Sequence, residues 1–171
     1  VAVNATLLAF YSGEGKDVAG RRLDDIWRFS HAELEDNHDY IQWLFPLTEG
    51  SAFNPDAPIL DAATIERFRA DESLKHNLER SLGVMLAFYG LEIAGDRIVR
   101  AASFAERSAN WLTPSNHNFL RLTRILNTLS LLGLEERAAQ LFACLEEIYT
   151  MNTGVIGERT MSFWRKAIEN E

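Results

Sequence analysis

Residues 111–133 constrain the fold of this chain more than any other stretch. They contain no acidic residue, and Phe119, Leu120, Leu122, Ile125, Leu126, Leu129, Leu131 and Leu132 spread over most of the circumference of a helix. A surface helix shows one apolar stripe, so a helix that is apolar nearly all round must be enclosed by others. Ser115 or Asn116 supplies an N-cap, and Gly133 supplies a stop. The expectation is a buried central helix near 116–133 with the rest of the chain packed against it.

The other segments read as its helical partners. Residues 5–11 suit a short apolar helix, and the glycines of 13–20 make a loop. Leu23–Phe29 holds one or two turns. Ser30 and Glu33 form a capping box, so the next helix is expected to run from His31 to about Leu44, where Pro46 stops it. On it His31, Glu35, His38 and Gln42 form a polar stripe beside Leu34, Ile41 and Phe45. Residues 46–60, with Pro46, Pro55 and Pro58, have no period and read as a binding loop or a static cover, with Phe53 as its anchor. Asp61 caps a helix to about Arg69 with Ile65 and Phe68 inward. Asp71 caps another, in which Leu74, Leu78, Leu82, Met85 and Tyr89 recur at helical spacing until Gly90. Leu91–Val99 could pair as strands around Gly95-Asp96 but is read as a loop. Ala101–Trp111, Glu135–Met151 and Glu158–Ile168 complete the helices. The predicted fold is all-α: one compact domain over 1–171, with about seven to eight helices.

Charge and composition narrow the function by exclusion. A formal charge of −8 lacks the basic footprint of a nucleic-acid binder. No run approaches the ~18–20 apolar residues of a membrane span. Val1-Ala2-Val3-Asn4 does not resemble a signal peptide, and the single Cys144 can form no intramolecular disulfide. These features together predict a soluble, cytoplasmic protein. Cys144 falls on the inward face of its helix and reads as a small core residue.

Several chemical motifs fail. Gly13–Gly20 looks faintly like a phosphate loop, but Phe10 stands where glycine is required and Asp17 where Ser or Thr is. Glu35-x-x-His38 has the spacing of a di-iron ligand pair, yet neither His76 nor His117 has a Glu three positions before it, so no metal is expected. No ordered nucleophile, base and orienting acid can be picked out. His38, Asp39 and His117 could converge in a cleft, but the chain is read as no enzyme and as needing no cofactor.

A cationic stripe remains. His117, Arg121 and Arg124 fall at i, i+4 and i+7 on the central helix, flanked by Leu120, Leu131 and Leu132, which should partly desolvate them. A desolvated guanidinium needs a counter-charge. Glu35, Asp39 or another neighbouring carboxylate could supply it, and so could an external anion gripped by the planar fork of arginine. In the second case the candidate ligand-binding set is His38, Gln42, Trp43, Phe53, His117, Arg121 and Arg124. The arginines would take a peptide carboxylate or small anion, and Trp43 or Phe53 an aromatic side chain.

Four segments carry a resemblance: His38-Asp-Tyr-Ile-Gln-Trp-Leu-Phe-Pro46, Phe53-Asn-Pro-Asp-Ala-Pro58, Phe88-Tyr-Gly90 and His117-Asn-Phe-Leu-Arg-Leu-Thr-Arg-Ile-Leu126. Over roughly residues 7–150 the chain resembles the conserved region of the opioid growth factor receptor family, in the manner of its short bacterial-type members. The resemblance implies a signalling receptor for the pentapeptide Met-enkephalin, nuclear or perinuclear and associated with the nuclear envelope in animals, where long hydrophilic tails follow this region. It supplies no catalytic or ligand residues to carry over. Its implication for this chain is a non-enzymatic binding domain of receptor type. A helical protein–protein interaction or structural module, with the arginines paired internally, is the competing expectation.

Overall fold

The computed structural model describes residues 3–52 and 54–169. The chain clusters into two compact units, Val1–Ser81 and Leu82–Glu171.

The first unit holds α1 (Ala5–Tyr11), α2 (Leu23–Trp27), α3 (His31–Asp36), α4 (Ile41–Leu44), α5 (Ala62–Ala70) and the start of α6 (Glu72–Tyr89). Asn4 caps α1 by accepting from Leu7 N at 3.1 Å, and Asp61 caps α5 by accepting from Thr64 N at 2.7 Å. The two caps are joined, because Asn4 N donates to Thr64 Oγ1 at 2.8 Å. Leu7, Phe10, Tyr11, Phe68, Leu74 and Leu78 are all buried, with the Tyr11 and Phe68 rings edge-on at 5.2 Å. Ile65 is only half-buried, where the sequence placed it inward. Ser81 ties three elements at the centre. Its hydroxyl lies 2.9 Å from the Tyr11 hydroxyl, which donates to Leu44 O at 2.6 Å, and it accepts from Trp27 Nε1 at 2.9 Å.

The expected helix from His31 to Leu44 is two helices. Asn37 leaves α3 in an extended conformation (φ −91°, ψ 136°), and its side-chain amide donates to Glu33 O at 2.9 Å. The run Glu35-Asp36-Asn37-His38-Asp39 is poor in helix formers, and an Asn side chain offers the backbone a competing bond. The polar stripe His31/Glu35/His38/Gln42 therefore does not exist as one helical face.

The second unit begins with the end of α6, whose Gly90 has φ +82°. A hairpin follows: β1 (Leu91–Ala94) and β2 (Arg97–Arg100) pair antiparallel, with Leu91 opposite Arg100 and Ala94 opposite Arg97. The fold is thus mainly helical rather than all-α, and eleven helices rather than seven or eight lie among the described residues. Leu91 and Ile98 are buried while Glu92 and Arg97 are exposed, and Gly95 at φ +65° makes the turn. Alternation over only four residues per strand left the segment open to a loop reading.

α7 (Phe104–Trp111), α8 (Asn118–Leu131), α9 (Glu135–Met151), α10 (Thr153–Ile156) and α11 (Glu158–Glu169) complete this unit. α8 packs on both α9 and α11, as a helix apolar on most sides must. A chain of edge-on rings runs through the core from Phe88 to Tyr89, Trp111, Phe119 and Trp164. Trp111 Nε1 donates to Tyr89 O at 2.9 Å and Trp164 Nε1 to Phe119 O at 3.2 Å, so both indoles are buried with their polar atom satisfied. Leu120 departs from expectation: it is 67% exposed.

Candidate functional site

The seven candidate residues divide between the units. His38, Gln42 and Trp43 belong to the first and His117, Arg121 and Arg124 to the second. Phe53 lies outside the described residues.

In the first unit, the turn after α3 and the short α4 hold the polar groups. His38 is exposed, and its carbonyl accepts from Gln42 Nε2 at 3.2 Å. Gln42 is 6% exposed, and its Oε1 accepts from Asn54 Nδ2 at 3.3 Å. The same Asn54 amide reaches Asp39 O at 3.4 Å. The loop 46–60 is therefore tied to α4 by one amide, and its two ends are joined where Leu60 N donates to Leu47 O at 2.8 Å. Trp43 is 2% exposed and edge-on to Phe10 at 5.2 Å. Its indole N–H has no hydrogen-bond partner, an uncommon state for a buried donor.

Asp39, one of the carboxylates considered for Arg121 and Arg124, is engaged within its own unit. Arg21 Nη1 lies 2.9 Å from Asp39 Oδ1, and Arg21 Nη2 lies 2.7 Å from Asp17 Oδ2. Burial alone would lower the Arg21 pKa, but the hydrogen bonds and charges of Asp17 and Asp39 outweigh it and raise it. Asp17 is one of the two residues that break the phosphate-loop pattern. Its Oδ1 accepts from Ala19 N and Arg21 N, which makes the glycine-rich segment a structural turn.

In the second unit the three residues of the expected cationic stripe lie on α8 or at its N-cap. His117 takes the N-cap position of α8 and is exposed, Arg121 is 5% exposed and Arg124 is half-buried. Burial lowers the Arg124 pKa, the sign of a guanidinium partly removed from water. The start of α8 is built from asparagines. Asn116 Oδ1 accepts from Asn118 N at 2.9 Å and from Asn118 Nδ2 at 3.0 Å, while Asn116 Nδ2 donates to Thr113 Oγ1 at 2.9 Å. The fully buried Asn118 Oδ1 lies 3.4 Å from the Tyr89 hydroxyl and 3.5 Å from Arg121 Nη1. Ser115, with φ +56°, turns the chain into this arrangement.

Sequence reading offered Asn116 as a cap but did not single out Asn54 or Asn118 as positioning groups. Asn54, Asn116 and Asn118 position the candidate groups, and their signals were present as Asn-Pro in the loop and Asn-x-Asn before an apolar run. Among the described residues, no group of three or more His, Cys, Asp or Glu could hold a metal ion. No helix among them is long and apolar enough to cross a membrane.

Residues 4–171 match the model of the opioid growth factor receptor (OGFr) conserved region. The chain belongs to this family. It is 39% identical over 142 residues to the opioid growth factor receptors of Mus musculus and Homo sapiens, covering 78% of this chain and 22% and 20% of theirs. It is 37% identical over 121 residues to the opioid growth factor receptor-like protein 1 of Xenopus tropicalis, covering 68% of this chain and 23% of that one. The OGFr-like segment thus spans about a fifth to a quarter of these curated relatives. No solved structure matches the chain.

Proposed function

We propose that this OGFr conserved region is a non-enzymatic binding domain that takes a short peptide or small anion on the α8 face of His117, Arg121 and Arg124. The observation that carries the reading is the charge pattern of that face. Three cation-capable side chains share one stripe at the start of a fourteen-residue helix, and residues 111–133 contain no acid. The helix N-terminus adds its own partial positive charge. Exposed Leu120, one turn beyond His117, offers apolar area beside the charges. The relatives' name, receptor for an opioid growth factor, supports a peptide as the ligand.

Calorimetric titration of the chain with enkephalin-like pentapeptides, their C-terminal amides and acetate tests this. Saturable binding of the free-acid peptide is expected, weakened at least about tenfold by amidation and by Arg124→Gln, the loss of one charge-assisted pair. Heat changes indistinguishable from dilution for every ligand would overturn it.

A second reading has its own observation. Arg121 is nearly fully buried and its Nη1 lies near Asn118 Oδ1, as expected of a guanidinium serving the fold. In that reading the domain is a helical interaction or structural module. Arg121→Met then destabilises it by about 3–5 kcal/mol, the cost of breaking a buried charged contact, while Arg124→Gln leaves every binding property unchanged.

A further inference from the structure

Away from the α8 face, the second unit contains a cavity of about 110 Å³ between the hairpin and α9, partly open to solvent. α9 contributes Gln140, Ala143, Cys144 and Glu147, spaced i, i+3, i+4 and i+7 and so on one helical face. The hairpin contributes Asp96, Arg97 and Ile98. The floor is apolar: Ile98 and Cys144 are each 3% exposed. The rim is charged, with Asp96, Arg97 and Glu147 exposed. Burial and the nearby Glu147 carboxylate raise the Cys144 pKa, while Arg100 and Arg97 act in the opposite sense.

Two features make this more than a dent. Arg137 Nη1 donates to Gly95 O at 2.9 Å and to Gln140 Oε1 at 2.7 Å, which holds the hairpin turn to α9. With its oxygen taken, the Gln140 amide offers its NH₂. In addition, Arg97, Asp96 and Glu147 line one small space, yet no hydrogen bond or ion pair joins any two of them. A small space lined by charges of both signs suits a ligand that carries both.

We propose that this cavity is a binding site for a small zwitterion of α-amino-acid type. Its carboxylate pairs with the Arg97 guanidinium and the Gln140 NH₂, and its ammonium with Glu147 and Asp96. A short apolar side chain covers Ile98, Ala143 and Cys144. The size agrees: an apolar cavity of about 150 Å³ accepts benzene, so the smaller space here suits roughly five to seven non-hydrogen atoms. The site shares no residue with the α8 face and stands or falls separately from it.

The test is an NMR titration of the full chain with alanine, methylammonium and acetate, following amide shifts of Ile98 and residues 140–147. Saturating shifts with alanine are expected, each half-ligand binding at least about tenfold more weakly, since it forfeits one charged arm. Arg97→Gln and Glu147→Gln should each weaken alanine at least about tenfold with the rest of the spectrum unmoved. Arg97→Lys, which keeps the charge, should retain most of the binding. Absence of saturation overturns the proposal. So does acetate or methylammonium matching alanine, or Gln variants that bind as the parent does. A Gln variant that unfolds contradicts placement of these groups on an exposed rim and overturns it too.

Discussion

Replacing Gly90 by alanine separates the two demands that the end of α6 makes on its sequence. The residue has φ +82°, and a Cβ built there would stand 2.7 Å from Phe104 Cα and 2.9 Å from Arg107 Cβ. The left-handed backbone costs an alanine about 1–2 kcal/mol. Forcing a methyl against the backbone of α7 adds about 1–3 kcal/mol, the usual penalty of overpacking. The expected loss is therefore about 2–5 kcal/mol. Gly95 is the control, because it too is left-handed, at φ +65°, but a Cβ there meets nothing within 4 Å. Gly95→Ala should lose only the backbone part, about 1–2 kcal/mol. Urea unfolding of both variants, followed by circular dichroism, measures the difference. Equal losses would show that the close approach of α7 to Gly90 costs nothing, and would refute the packing argument for this corner.

Three further outcomes are expected. Ser81→Ala removes the acceptor of Trp27 Nε1 and a neighbour of the Tyr11 hydroxyl; urea unfolding should show a loss of about 1–3 kcal/mol. Burial lifts the Cys144 pKa to about 11 from an ordinary 9.0, so at pH 8 the thiolate fraction is about a hundredfold below that of an unperturbed thiol. Iodoacetamide should label it at least about a hundred times more slowly than a free thiol. The same shift makes stability sensitive to alkali: the folded state holds the proton longer, so the contribution is intact below pH 9 and is lost as pH rises from 9 towards 11. A Cys144→Ala variant should show a flatter pH–stability curve over that window.

Legibility from the sequence followed the length of each pattern. α9 was read at its true limits, Glu135–Met151, because seventeen residues repeat one inward face and acidic residues open the first turn. The caps Asp61 and Ser30 were readable for the same local reason: a short side chain three residues ahead of an amide has one thing to do. Short elements gave no such signal. Four residues of alternation could not announce β1 or β2, and α10, from Thr153 to Ile156, is a single turn. The break at Asn37 was hidden because the helical wheel counts spacing and ignores the competing hydrogen bond from Asn37 to Glu33. For the candidate site, the spacing i, i+4 and i+7 proposed one face for His117, Arg121 and Arg124, of which Arg121 and Arg124 lie on α8 and His117 at its N-cap. Their unequal exposure was not legible, since it depends on how α9 and α11 cover α8, and Leu120 at the same helix start escaped that cover altogether.

We propose that the His117/Arg121/Arg124 face of α8 receives an anionic group of a peptide. Amide chemical-shift mapping with a free-acid enkephalin-like pentapeptide tests it most directly. Saturating shifts centred on residues 116–125 are expected, reduced when Arg124→Gln is titrated in parallel. Saturating shifts centred on other elements, or no saturation at any accessible peptide concentration, would contradict it.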